Sequence, residues 1–364
     1  MGFSEFKGNK ETVTRMREML QRDRFPHAVI LSGPAGSGKY TLTQMLAKTM
    51  NCLDPRVSDG LPDYCGVCAN CTRIAEADDL EARCAEADEA RENLRETDKK
   101  ETRLFIQTHA DVLVIPPDPP QLMIKVDQVR RVTETIYYRP GEARRRVYIF
   151  TSSAFMKEAA NALLKVLEEP PEFATIFLLT SNAGELLPTI RSRAITFRLA
   201  PLPAKEVESY LADERRELAP QQRALVARLS GGALGRAKTF NLAGYIQARM
   251  DALTVLRSAI GAEDHSSLFR ITETYRAGAE GRTKTDLLVR TLYGLLEDLT
   301  FFSSGTPDLA SNTDIAPDLK RLAEQVSFEW IDAAARQLAG FESGMRRNLL
   351  RSLALDSMVV GLER

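Results

Sequence analysis

The sequence predicts an α/β domain built on a parallel sheet, followed by an all-helical region. Three observations carry this. Five short, apolar, β-rich runs stand at Ala28–Leu31, Asp111–Ile115, Arg146–Phe150, Thr175–Thr180 and Ala194–Leu199, with helical spacing between most of them. Continuous apolar strands alternating with helices read as a parallel sheet covered on both faces. A glycine-rich phosphate-loop pattern follows the first of these strands. After Pro201-Leu202-Pro203 the strand signals stop and apolar residues recur at three- and four-residue steps, as in Tyr245–Ile260, Lys284–Phe302 and Met345–Leu362.

Composition bounds the function. The chain has 364 residues, 44% of them apolar and 27% charged, with 49 Lys+Arg against 50 Asp+Glu and a formal net charge of −1. A chain this neutral is not a polyelectrolyte binder as a whole, so any nucleic-acid contact needs a local basic patch. The run Arg144-Arg145-Arg146 leads into a strand and reads as a solvated edge. The apolar runs are strand-length, far short of the roughly 20 residues of a membrane span. No apolar secretory core follows Met1, which predicts a cytoplasmic protein without membrane contact.

The first strand runs into Gly33-Pro34-Ala35-Gly36-Ser37-Gly38-Lys39-Tyr40-Thr41. Glycines let backbone N–H groups close round a phosphate, and the helix that follows offers its N-terminus to the anion. Gly33, Gly36, Ser37, Gly38, Lys39 and Thr41 are the candidate nucleotide-binding residues. The pattern fails at its last position. Tyr40 stands where a Ser or Thr hydroxyl would bind Mg²⁺, and Thr41 comes one residue late, a turn of about 100°. The third strand runs into Thr151-Ser152-Ser153, where an ATPase would carry the Asp that holds Mg²⁺ and the Glu that polarises water. A hydroxyl replaces neither. The expectation is a loop that can hold ATP or ADP and does not hydrolyse it.

Four of the five cysteines crowd together, as Cys52 and then Cys65-Gly66-Val67-Cys68-Ala69-Asn70-Cys71. Two overlapping C-x-x-C steps and a fourth Cys predict a tetrahedral, structural Zn²⁺ site over about 52–71. Cys84 is a spare thiol. His27, His109 and His265 are scattered and form no pattern. The stretch Glu76–Arg103 holds eleven acidic and six basic residues. Its thin apolar stripe (Ala77, Leu80, Cys84, Ala87, Leu94) and the i,i+4 pairs Asp79–Arg83 and Glu96–Lys100 predict an exposed helical insertion, with partner docking as the alternative. Ser303–Pro317 reads as a loop. Ser192-Arg193 before the fifth strand and Arg236 after a Gly-rich turn are weak signals alone; with a phosphate loop they suggest arginines aimed at phosphates.

Taken in order, several segments resemble the clamp-loader branch of the AAA+ proteins. They are Arg24-Phe25-Pro26-His27-Ala28, the phosphate loop, the four cysteines, His109-Ala110-Asp111 and Ile124-Lys125-Val126-Asp127-Gln128-Val129-Arg130. Ala159–Pro171, Ser192-Arg193 and Gly235-Arg236 complete the series. More closely, the series looks like the delta-prime type of bacterial DNA polymerase III clamp-loader subunit, over most of the first 240 residues. Asn348-Leu349-Leu350-Arg351-Ser352-Leu353 is compatible with that family's collar.

The resemblance implies an AAA+ P-loop domain at 1–203 with a parallel five-stranded sheet, carrying the zinc module and the insertion at about 76–103. It implies a helical lid at 204–243 and a helical collar for oligomerisation at 244–364. It also implies a division of labour. Gamma/tau subunits hydrolyse ATP; a delta-prime-like subunit is degenerate there and keeps a Ser-Arg-Cys motif whose Arg acts at a neighbour's ATP. Carried over, Arg193 is the arginine finger and Ser192 its companion, while Ala194 replaces the Cys. Ser181-Asn182 and Arg236 fall near the two sensor positions. The implied partners are delta and gamma/tau subunits, the sliding clamp and primed DNA, within the DNA polymerase III holoenzyme, and with a degenerate ATPase site no intrinsic activity is expected of the chain. The competing expectations are a gamma/tau-type ATPase and a zinc-dependent nucleic-acid-binding protein.

Overall fold

The computed structural model describes residues 2–261, 265–275, 278–345 and 350–362. Two compact units appear, one of Met1–Leu202 with Ala233–Arg236, the other of Pro203–Gly232 with Ala237–Arg364. In chain order the first holds α1 (Lys10–Gln21), β1 (Ala28–Ser32), α2 (Lys39–Asn51), β2 (Arg56–Ser58), β3 (Leu61–Asp63), α3 (Ala69–Ala75), α4 (Leu80–Glu92) and α5 (Glu96–Glu101). It continues with β4 (Ile106–His109), β5 (Val112–Ile115), α6 (Val126–Thr135), β6 (Arg146–Phe150), α7 (Lys157–Glu168), β7 (Ala174–Thr180), α8 (Pro188–Arg191) and β8 (Ile195–Arg198).

The main sheet has the order β4-β5-β6-β7-β1-β8. Its five parallel strands are the five apolar runs, with β1 in register between β7 (Ala28 opposite Ile176) and β8 (Val29 opposite Ile195). Alternation explains the two-sided burial. Val29 and Leu31 of β1 join Phe177 and Leu179 of β7 in one core, while Ala28 and Ile30 join Ile176 and Leu178 in the other. Every residue of β1 and β7 is buried, so neither strand shows a polar face in the sequence.

Two strand features go beyond the sequence reading. A sixth strand, β4, pairs antiparallel at the β5 edge; only Ile106 and His109 of its four residues are buried, too short an alternation to announce a strand. A small hairpin, β2–β3, turns at Asp59-Gly60, both with positive φ (52° and 73°). That two-residue turn suits the twist of antiparallel strands.

Motif residues quoted above also hold the scaffold. The buried Asp111 carboxylate accepts N–H groups of Gly141, Glu142 and Ala143, which fixes the approach to β6. Burial alone would raise its pKa; those three donors and Arg146 outweigh it and hold it below the usual range. Gln128 is buried and donates to the carbonyls of Leu104 and Pro116. In the basic run, Arg145 pairs with Asp23 and Arg146 with Asp111.

The charged insertion is helical, as two pieces, α4 and α5. No residue of α4 is buried, and Leu80 and Cys84 lean on the core while Leu94 is exposed. The expected Asp79–Arg83 pair does not form. Asp79 caps α4 by accepting the Ala82 N–H, and Arg83 pairs with Glu86 instead. A cap satisfies an orphan backbone donor, which an exposed ion pair cannot match. The Lys100 side chain of the second expected pair lies outside those described. Arg91 reaches Asp118, nearly buried, at 3.3 Å and ties the insertion to the sheet domain.

The second unit is helical: α9 (Ala204–Glu214), α10 (Pro220–Leu229), the end of α11 (Leu234–Lys238), α12 (Leu242–Gly261), α13 (Ser266–Thr272), α14 (Gly278–Ser303), α15 (Ala316–Ala323), α16 (Phe328–Met345) and α17 (Arg351–Val360). Helix α12 runs through the 243/244 boundary. The expected Met345–Leu362 helix is α17 within the described residues; Asn348 and Leu349 lie outside them. The Ser303–Pro317 segment is tied down. Asp298 accepts from the backbone of Ser311 and Asn312, and Arg249 holds Asp314 with two 2.7 Å bonds. Among the described residues no helix is long and apolar enough to cross a membrane.

Candidate phosphate loop, cysteine cluster and arginine edge

The phosphate loop joins β1 to α2. Gly36 and Gly38 have φ of 79° and 84°, which L side chains rarely adopt. A Cβ on Gly36 would stand 2.6 Å from the Arg236 backbone nitrogen, and Gly235 N donates to Gly36 O at 2.8 Å. The Gly-Arg turn thus packs directly on the loop, with the Arg236 side chain exposed. Lys39 Nζ turns back to the carbonyls of Gly33 (2.6 Å) and Pro34 (2.7 Å), and burial lowers its pKa. Ser37 Oγ is buried with no hydrogen-bond partner. A loop of left-handed glycines, an orphaned buried hydroxyl and a lysine fits a phosphate group.

The same residues do not fit a magnesium site. Tyr40 OH donates to Ala77 O at 2.5 Å and accepts from Gln44 Nε2 at 2.6 Å. One turn further, Lys48 Nζ meets Asp78 at 2.5 Å. Residues 40, 44 and 48 form a ladder on α2 that holds the root of the charged insertion. Burial raises the Tyr40 pKa, so the phenol stays neutral. Thr41 is exposed at the next position.

At the end of β6, Thr151 and Ser152 carry no charge, yet the fold brings a carboxylate nearby. Glu185, in a short 3₁₀ turn (Ala183–Glu185) after β7, accepts from Ser153 Oγ at 2.5 Å and lies 3.1 Å from Thr180 Oγ1. Ser181 Oγ is 3.4 Å from its other oxygen, and Asn182 caps the turn through Gly184 N. The sequence reading missed Glu185, because only the neighbouring ends of β6 and β7 bring it there.

The four cysteines converge. Cys52, Cys65, Cys68 and Cys71 place their sulfurs within 4.8 Å of one another, with Cys52 and Cys68 3.9 Å apart. Thiolates bound at about 2.3 Å in a tetrahedron stand roughly 3.8 Å from each other, so the cluster could hold a metal ion. Backbone N–H groups of Leu53, Cys65 and Cys68 point at its sulfurs. Burial would raise the Cys68 thiol; the N–H groups of Cys71 and Leu53, with the thiols of Cys71 and Cys65, bring it down to about 6. Cys84 stands apart, its thiol raised by burial and by Asp88.

Arg193 follows α8. Its Nη1 donates to Thr189 O (3.0 Å) and Ser192 Oγ (3.3 Å), and Nη2 donates to Glu168 Oε1 at 2.8 Å. Ser192 Oγ itself donates to Thr189 O at 3.0 Å. Ala194, at the expected Cys position, packs against the core. The contact with Glu168 was not legible from spacing, since the two lie 25 positions apart.

A family model described as DNA polymerase III, delta subunit, matches residues 8–203. The chain is 28% identical over 211 residues to DNA polymerase III subunit gamma/tau of Mycobacterium tuberculosis, covering 58% of this chain and 30% of that protein. It is 28% identical over 238 residues to subunit tau of Escherichia coli, covering 64% and 31%. It is 29% identical over 210 residues to subunit gamma of Buchnera aphidicola, covering 57% and 48%. The matches span less than half the length of these curated relatives. A gamma subunit-related protein from Thermotoga maritima aligns over 96% of this chain and 98% of its own, with 19% identity and a TM-score of 0.41.

Proposed function

Because the chain belongs to the DNA polymerase III, delta subunit family of clamp-loader proteins, we propose that it is a delta-prime-like subunit that does not hydrolyse ATP and serves a neighbour's ATP through Arg193. The observation that carries this is Tyr40. Tyr40 stands at the magnesium-ligand position of the loop, and its hydroxyl is committed elsewhere, to Ala77 O. The loop keeps its phosphate-shaped backbone, so ATP or ADP binds at Gly33, Gly36, Ser37, Gly38 and Lys39 without a tightly held metal. Thr41 and Arg236 lie beside this site without completing it.

The working group is then Arg193, with Ser192 as its companion. A guanidinium stays charged and its planar fork matches phosphate oxygens. Supplied in trans, such an arginine stabilises charge on the transferring phosphoryl group and is worth about 10³–10⁵ in rate at its own site. The cysteine cluster holds one structural Zn²⁺ that fastens residues 52–71 and leaves no open position for catalysis. The partners are delta and gamma/tau subunits, and through them the sliding clamp and primed DNA in the cytoplasm.

The second reading is a gamma/tau-type ATPase. The identity to gamma and tau subunits favours it, as does Glu185, a carboxylate that the turn after β7 brings beside the end of β6. Phosphate release from the highly purified chain decides between them, beside nucleotide titration with and without Mg²⁺. The proposal expects no turnover and binding that ignores Mg²⁺. Turnover that disappears in both Lys39→Ala and Glu185→Gln would establish the ATPase instead.

A further inference from the structure

Arg193 does not project from the surface. It folds back over α8 to the carbonyl four residues earlier, and both terminal nitrogens are engaged, Nη1 on Thr189 O and Ser192 Oγ and Nη2 on Glu168 Oε1. Three of its five N–H donors are in use. The two terminal nitrogens form one of the edges with which a guanidinium grips a carboxylate or phosphate bidentately. Glu168 ends α7, and the pair is partly open to water, with side-chain exposures of 34% for Arg193 and 52% for Glu168. It is an exchangeable surface contact, not a buried fixture.

We propose that Glu168 is a positioning residue that parks the Arg193 guanidinium on its own subunit, in the place that a phosphate of a neighbour's nucleotide takes on assembly. The inference rests on the reading of Arg193 as a finger acting in trans. Carboxylate and phosphate are both oxyanions that accept from the same fork. Docking exchanges one N–H···O contact for another, and no covalent bond, proton or electron moves. The exchange costs what an exposed ion pair is worth, a small factor that salt reduces.

The test is steady-state ATPase of the reconstituted loader at subsaturating ATP, with wild type, Glu168→Gln, Arg193→Ala and the double variant. Glu168→Gln should raise turnover about two- to five-fold at low salt. The gain should shrink toward one as ionic strength approaches about 1 M, where the screening length is near 3 Å. The double variant should equal Arg193→Ala, because Glu168 acts only through the arginine. As a second readout, Glu168→Gln should tighten association with the neighbouring ATPase subunit by the same factor when ATP is bound, and leave it unchanged without nucleotide. Glu168→Ala repeats the series should the Gln variant fold poorly. If Arg193→Ala lowers turnover while Glu168→Gln leaves it unchanged or lowers it, parking is wrong and the finger stands. A gain that persists in the double variant also overturns parking. If Arg193→Ala costs nothing, the finger reading fails and this inference falls with it.

Discussion

The phosphate loop and the cysteine cluster lie in one unit, and both rest on short motifs, yet they differ in what the fold has kept. At the cysteines the side chains are the site, and four sulfurs converge within 4.8 Å. At the loop the backbone is the site. Gly36 and Gly38 keep their left-handed turns, while Lys39 and Tyr40 are turned to internal carbonyls. A site made of side chains cannot lose one and keep its chemistry. A site made of backbone can keep its shape after its reactive side chains have gone elsewhere.

The largest effect that would break this comparison is metal removal. Cys65→Ser with Cys68→Ser should abolish binding of about one Zn²⁺ per chain and unfold residues 52–71, because binding energy at such sites is folding energy. Elemental analysis and a thermal melt check it; a metal-free chain with an unchanged melt would put the cluster down as coincidence. Next comes the loop backbone. Gly36→Ala sets a Cβ 2.6 Å from Arg236 N at positive φ, and should cost about 1–3 kcal/mol in denaturant unfolding and abolish nucleotide retention.

Tyr40 separates shape from chemistry at a smaller cost. Tyr40→Phe should lose about 1 kcal/mol by leaving Ala77 O and Gln44 without their shared hydroxyl, with nucleotide affinity unchanged. Tyr40→Thr should make nucleotide binding depend on Mg²⁺, read by titration in magnesium and in chelator. The smallest effect belongs to the edge. Arg193→Ala should change the stability of the isolated chain by less than about 1 kcal/mol, as an exposed ion pair should. It should nonetheless lower ATPase of the assembled loader, with Arg193→Lys a poor rescue because a point charge lacks the planar fork.

How far the sequence revealed this molecule follows the range of each interaction. β1, β5, β6 and β7 were legible because burial on both faces leaves a nearly continuous apolar run, whereas β8, exposed at three of its four residues, was legible from its β-rich composition. The phosphate loop and the cysteine cluster were legible because their parts lie within a few residues of one another, or nearly so. β4 escaped because two buried residues make no pattern. Asp79 looked like half of an ion pair because spacing on a helix says nothing of where the helix begins. Glu185 and Glu168 escaped because each meets its partner through neighbouring strand or helix ends, and no local spacing encodes that meeting. At Tyr40 the sequence showed what was missing, a magnesium ligand, but not what the phenol had gained.

That gain has a consequence for how this chain can change. The hydroxyl that bridges α2 to Ala77, with Lys48 on Asp78 one rung further, carries the root of a 28-residue charged excursion, Glu76–Arg103. Replacing Tyr40 by Thr would put a hydroxyl at the loop's magnesium-ligand position and in the same stroke withdraw the strut from that excursion. A magnesium ligand at the loop and support for the insertion are competing demands on one side chain. The two demands are therefore coupled: a hydroxyl ligand at position 40 needs a second, compensating change where the insertion leans on Tyr40.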